Sequence, residues 1–138
     1  SFSANATCEI LNLTNALQEI LEMAIGAFDY SDVELAKQVE PLEQVIDTLI
    51  ADARLHHIER LQAGTCTIET GFVFADILTN FERISDHCSN IAVCLIETEQ
   101  NSFDTHDYIL RLKSGSDSEF HLAYNRFLKK YTPDYQEQ

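Results

Sequence analysis

Two Glu-x-x-x-Asp pairs, Glu43 with Asp47 and Glu82 with Asp86, are the residues of this chain best placed to do chemistry. On a helix, residues four apart share a face and stand about 6 Å apart along the axis. Gathered in one place, four carboxylates repel one another. Their pKa values rise and the helices that carry them are destabilised unless a cation sits among them. A metal ion is the natural partner. All-oxygen ligation suits hard or borderline ions such as iron, manganese, magnesium or calcium, and bridging carboxylates suit more than one ion. Glu40 and Asn90 stand near the ends of the two acidic rows as candidate extra ligands. Any single acid on an exposed helical face is more often simply solvated, so the case for metal rests on how the two pairs are brought together.

The elements that must do this can be read from the hydrophobic spacing. Ile10, Leu13, Leu17, Ile20, Ala24 and Ala27 recur at alternating steps of three and four, which predicts a helix over about residues 7–29. Ser31-Asp32-Val33-Glu34 reads as a capping box opening a second helix, with the stripe Leu35, Val39, Leu42, Ile46, Leu49, Ala53 and His56. That helix should end at Gly64, which can take the left-handed conformation at no Cβ cost. Pro41 inside the run removes a backbone hydrogen bond and predicts a kink. A third helix follows Thr65-Cys66-Thr67 with the stripe Phe74, Ile77, Phe81, Ile84, Cys88, Ile91 and Leu95.

Past about Glu99 the pattern weakens. Residues 101–113 read as a short amphipathic helix and Ser114-Gly115-Ser116 as a break. A second capping box, Ser116 to Glu119, opens a last helix to about Tyr131, whose Phe120, Tyr124, Phe127 and Tyr131 would dock it on the bundle. Residues 132–138 read as a frayed tail. Four Gly and two Pro leave little turn material, so few, long elements are expected. The fold class that follows is all-α, an antiparallel up-down helical bundle in a single domain over residues 1–138.

The short connection at Gly64 and Thr65 forces the second and third helices into an antiparallel hairpin. Their stripes then pair about residue 65, Leu35 with Leu95 at one end and His56 with Phe74 at the other. The acids mirror about the same turn, Glu43 facing Asp86 and Asp47 facing Glu82, so all four fall at one height on one side of the seam, with Asp86 one position further out.

Composition narrows the function classes. With 23 acids against 9 bases the net charge is −14, which repels nucleic acid and anionic lipid. No stretch approaches the roughly 18 unbroken apolar residues of a spanning helix, so this segment inserts into no membrane directly. The four cysteines, Cys8, Cys66, Cys88 and Cys94, form no CxxC pair, which suits a reducing, cytoplasmic setting. Starting at Ser1 rather than Met, the chain reads as a segment of something longer.

Other constellations are weaker. Asp52 with His56 and His57 invites a zinc reading, but His56 lies on the core stripe, where a buried, hydrogen-bonded histidine is the commoner role. Asp86 and His87 point about 100° apart, which disfavours an acid–base dyad. Cys88 lies on the apolar stripe, where a thiol is a small hydrophobe rather than a nucleophile. There is no catalytic constellation beyond the carboxylates, so an enzyme is not expected. A carboxylate-metal enzyme and a metal-free helical interaction domain stand as the rival readings.

The stretch Phe81-Glu82-Arg83-Ile84-Ser85-Asp86-His87-Cys88-Ser89-Asn90-Ile91-Ala92 resembles the signature of PhoU-type phosphate-regulatory domains, an E-R-I-x-D-H-x-x-N-I-A core on the third helix. Glu43-Gln44-Val45-Ile46-Asp47 resembles the other half of the paired motif. The likeness covers about residues 7–99, a three-helix PhoU-like unit with a C-terminal extension over about 100–131. That tail, with Thr105-His106-Asp107-Tyr108 and Lys129-Lys130-Tyr131, is similar to the C-terminal cytoplasmic region of bacterial sodium/phosphate cotransporter-type proteins.

The resemblance implies a metal-binding regulatory module in phosphate homeostasis, holding an iron cluster, or zinc or nickel, through the acidic pairs. It implies as partner a phosphate-transport system or the membrane portion of the same chain, tethering the module to the inner face of the cell membrane. Homo-oligomers are compatible with it. Two departures stand out: family members that stand alone carry two such units and this chain one, and Ser85 occupies a position usually held by Gly.

Overall fold

The computed structural model describes residues 1–100, 107, 110 and 117–135. They form four helices, α1 (Ala4–Tyr30), α2 (Val33–Gln62), α3 (Ile68–Glu99) and α4 (Ser118–Tyr131), in an all-α bundle. α2 is central and packs against the other three; α1 and α3 also pack on each other. The short helix expected over 101–113 lies outside the described residues, apart from 107 and 110.

Each helix starts at a side-chain oxygen that accepts from an otherwise unpaired backbone N–H. Ser3 caps α1 through the Ala6 N–H at 3.2 Å, one turn earlier than the apolar spacing alone suggested. The two expected capping boxes are corrected by one residue. Ser31 is spent on closing α1, in the left-handed conformation at φ 49°, so Asp32 caps α2 through the Leu35 N–H at 3.0 Å. At α4 the cap is Asp117, accepting from Glu119 and Phe120 at 2.9 and 3.1 Å, rather than Ser116. In both places a carboxylate displaces a hydroxyl, and its charge also complements the positive end of the helix dipole. Gly64, at φ 70°, turns the chain after α2 as expected, and the Thr65 N–H closes on the Arg60 carbonyl at 3.0 Å. Pro41 lies buried within α2.

The buried row of α3 differs from the expected one. Phe74, Cys88 and Leu95 are buried as anticipated, but Leu78, Ser85 and Ala92 complete the row, while Ile77 and Ile84 are half-buried and Ile91 is 40% exposed. Two apolar rows run side by side on α3, and the one carrying small residues faces the core, where close helix approach favours them. The core histidine is corrected likewise. His57, not His56, is buried and lies 5.0 Å from the Phe74 ring between centroids. Gly71 makes room for it, since a Cβ there would fall 3.0 Å from the His57 ring.

His56 instead faces Glu9, a carboxylate only 2% exposed. One Glu9 oxygen lies 2.7 Å from His56 Nδ1 and accepts from the Tyr135 hydroxyl at 3.1 Å; the other accepts from Arg60 at 3.1 Å. This network ties α1 to α2 and pins the chain beyond α4. Removing Glu9 would leave Arg60 and His56 facing each other without their anion. Glu9→Ala is expected to lower the unfolding free energy by about 3 kcal/mol and Tyr135→Phe by about 1 kcal/mol, measured by urea denaturation.

Candidate metal centre

The α2–α3 hairpin brings Glu43, Asp47 and Asp86 together: one carboxylate oxygen from each lies within 4.8 Å of the others. Among the described residues this is the group of acids, histidines and cysteines whose donor atoms converge in this way. Glu43 is buried at 8% exposure, while Asp47 and Asp86 stand at the surface. The height shared by the acids thus follows the mirrored spacing, but membership differs from the expected four. Asp86 faces inward to the group, and Glu82 turns away to Arg54, which it meets at 3.2 Å in a surface ion pair. Arg54 also donates to Thr79 at 3.2 Å, which fixes it on that side.

Of the two extra candidates, Glu40 accepts from the Ser89 hydroxyl at 2.6 Å and adds negative field to the site; Asn90 is exposed. Asp52 is exposed and His56 belongs to Glu9, so the zinc reading at that place falls away.

Burial pushes the Glu43 carboxyl well above the ordinary carboxylate range, reinforced by its hydrogen bond to Asp47 and by the charges of Glu40, Asp47 and Asp86. Asp47 is raised as well, first by partial desolvation and then by Asp86, Glu82 and Glu40. Every group that presses on Glu43 is an acid. Without a cation the pair relieves its repulsion by keeping a proton between its two carboxyls.

α4 forms one wall of the site. A cavity of about 440 Å³ opens between α2 and α4, lined by Glu43, Asp47, Thr48, Phe120, His121 and Tyr124. Thr48 and Tyr124 share a hydrogen bond across it at 3.0 Å, and Phe120, Phe127 and Tyr131 are buried, so the aromatic run docks α4 as its spacing suggested. Farther along, Tyr131 and Lys130 both donate to Glu19 of α1, Lys130 at 2.9 Å. His121 at the rim was not singled out from the sequence, since no local spacing links it to acids more than 70 residues away.

A model of the PhoU domain matches residues 10–95, the stretch that holds all four of the paired acids. The chain belongs to the PhoU domain family. It is 28% identical over 111 residues to "Phosphate-specific transport system accessory protein PhoU homolog 1" of Thermotoga maritima, an alignment covering 79% of this chain and 47% of that protein. The chain therefore spans about half the length of the curated relative it matches. No solved structure matches it.

In this PhoU domain the serine before Asp86 has a structural cost. Ser85 is fully buried and its hydroxyl has no hydrogen-bond partner. Removing an unsatisfied buried group recovers its desolvation penalty, and Ala also favours the helix. Ser85→Ala is expected to stabilise the domain by about 1 kcal/mol, read as a higher urea midpoint with unchanged slope.

The raised carboxyls also set a pH dependence. In the metal-free state the folded protein keeps on the Glu43–Asp47 pair a proton that the unfolded chain has released once pH passes the ordinary carboxylate range. More protons bound in the folded state means stability falls as pH rises. The melting temperature of chelator-treated protein should therefore drop between about pH 5 and about pH 8, and Glu43→Gln should flatten that slope.

Proposed function

We propose that this chain is a metal-binding regulatory module of phosphate uptake, with Glu43, Asp47 and Asp86 as the ligands that gather the ion. The observation that carries this reading is the convergence of three carboxylates, one of them buried, with only acids pressing on it. The donor set is all oxygen, which fits iron or another hard or borderline cation, with zinc or nickel as substitutes. Glu40 and, after release from Arg54, Glu82 are close enough in the sequence of the two helices to extend the ligand set for a second ion. Asp47 and Asp86 lie at the surface rather than in a closed cavity. That suits an ion with a regulatory part more than a catalyst that must exclude water.

The relative's role as an accessory protein of phosphate-specific transport supports a place beside a phosphate-transport system. The tail's likeness to sodium/phosphate cotransporter-type proteins supports tethering at the inner face of the membrane through a transporter portion of the same chain. No helix among the described residues is long and apolar enough to cross a membrane.

Elemental analysis of protein purified without chelator is expected to find a transition metal bound, with Glu43→Ala plus Asp86→Ala reducing it to background. Addition of iron or zinc to the stripped protein should raise its melting temperature at neutral pH. Protein that holds no metal and shows no such shift would leave a helical interaction domain in place of the metal-regulated one.

A further inference from the structure

His121 is the imidazole in the lining of the cavity that Glu43 and Asp47 share with α4. Its neighbours set its place there. Phe120, the residue before it, is buried, and the two rings stand 5.9 Å apart, edge to face. Tyr124, three residues on and so along the same side of the helix, stacks on Phe120 at 6.4 Å and bonds to Thr48 at 3.0 Å. Thr48 directly follows Asp47. The contacts that dock α4 therefore bring residue 121 beside the two acids, although the whole of α3 separates them in sequence. The other histidines among the described residues are placed elsewhere: His56 on Glu9, His57 against Phe74 and His87 on the exposed side of α3.

The donors around this cavity are not equivalent. The Thr48 and Tyr124 hydroxyls are engaged with each other, and Thr48 also donates to the Gln44 backbone carbonyl at 3.0 Å. Glu43 and Asp47 offer oxygen. Each carboxylate has two oxygen atoms, so one can serve the group with Asp86 while the other serves the cavity side. His121 offers nitrogen. Its ring stands outside the group whose oxygens converge within 4.8 Å, but it lies at the surface of α4, where side-chain rotation is fast.

Nitrogen changes the chemistry of the site in two ways. A neutral imidazole adds a ligand without adding negative charge, in a place where Glu40, Asp47 and Asp86 already press on Glu43. It also alters which ion is preferred. Carboxylates suit magnesium, calcium and manganese, whereas imidazole suits zinc, nickel, copper and iron. We infer that His121 is a nitrogen ligand supplied by α4 to the ion that Glu43, Asp47 and Asp86 gather, and that it sets the preference of the site for borderline first-row ions over hard ones. This role rests on the three acids being ligands.

Zinc and manganese, each titrated alone into the chelator-stripped chain, test it. His121→Gln, at an exposed helical position, is expected to weaken zinc binding by about tenfold or more and manganese binding by no more than about twofold. His87→Gln should change neither. In the unsubstituted chain with isotope-labelled histidine, zinc should shift the ring-nitrogen resonances of His121, a readout that stands whether or not a variant folds. Zinc binding that Glu43→Ala with Asp86→Ala abolishes but His121→Gln leaves intact overturns the role of His121 and keeps the acids as ligands. Equal losses of zinc and manganese overturn it too, because they make His121 a support of α4 rather than a nitrogen donor, as do ring nitrogens unmoved at saturating zinc. A chain that binds neither ion removes the acidic site and the role of His121 together.

Discussion

The structure depends on a hydrophobic seam strong enough to hold like charges together. Leu42, Ile46 and Leu49 of α2 are buried along with Phe74, Leu78 and Cys88 of α3. Fully burying a large apolar side chain contributes about 1.5–3 kcal/mol, so a handful of them outweighs the repulsion among three carboxyls at the edge of the same seam. The acids are therefore not arranged by their own interactions. The packing beneath them sets their positions, and a proton or a cation settles the electrostatics afterwards.

Two buried glutamates show how differently the same side chain is treated. Glu9 is enclosed by Arg60, His56 and the Tyr135 hydroxyl, so its charge is neutralised within the protein and it serves as a rivet between α1, α2 and the chain end. Glu43 is enclosed by Glu40, Asp47 and Asp86. Both are buried acids on long helices. Only the second stores unfavourable energy that an ion from solution can release, and that asymmetry separates a structural carboxylate from a ligand.

α4 gives the acids a context that the PhoU match, ending at residue 95, does not include. Held by Thr48 to Tyr124 at one end and by Glu19 to Lys130 and Tyr131 at the other, it walls the groove beside Glu43 and Asp47. Glu43 and Asp47 thus line that groove from the α2 side while standing with Asp86 in the acidic group.

Local physics was legible in the sequence. Apolar residues at steps of three and four, a glycine at the left-handed turn and the mirrored Glu-x-x-x-Asp pairs were enough for three long helices, the α2–α3 hairpin and the height at which the acids meet. Each of these follows from interactions within a few residues or from a short connection that leaves one way to fold back. Tertiary packing alone decided the rest. Which of two adjacent apolar rows on α3 turns inward depends on how closely three helices approach, so Ser85 and Ala92 face the core and Ile91 does not. Glu82 stays out of the acidic group because Arg54, 28 residues away on α2, holds it in an ion pair. His56 rather than His57 meets Glu9 because their partners stand on a different helix, dozens of residues away, and no spacing along one strand of sequence encodes a rotation about a helix axis.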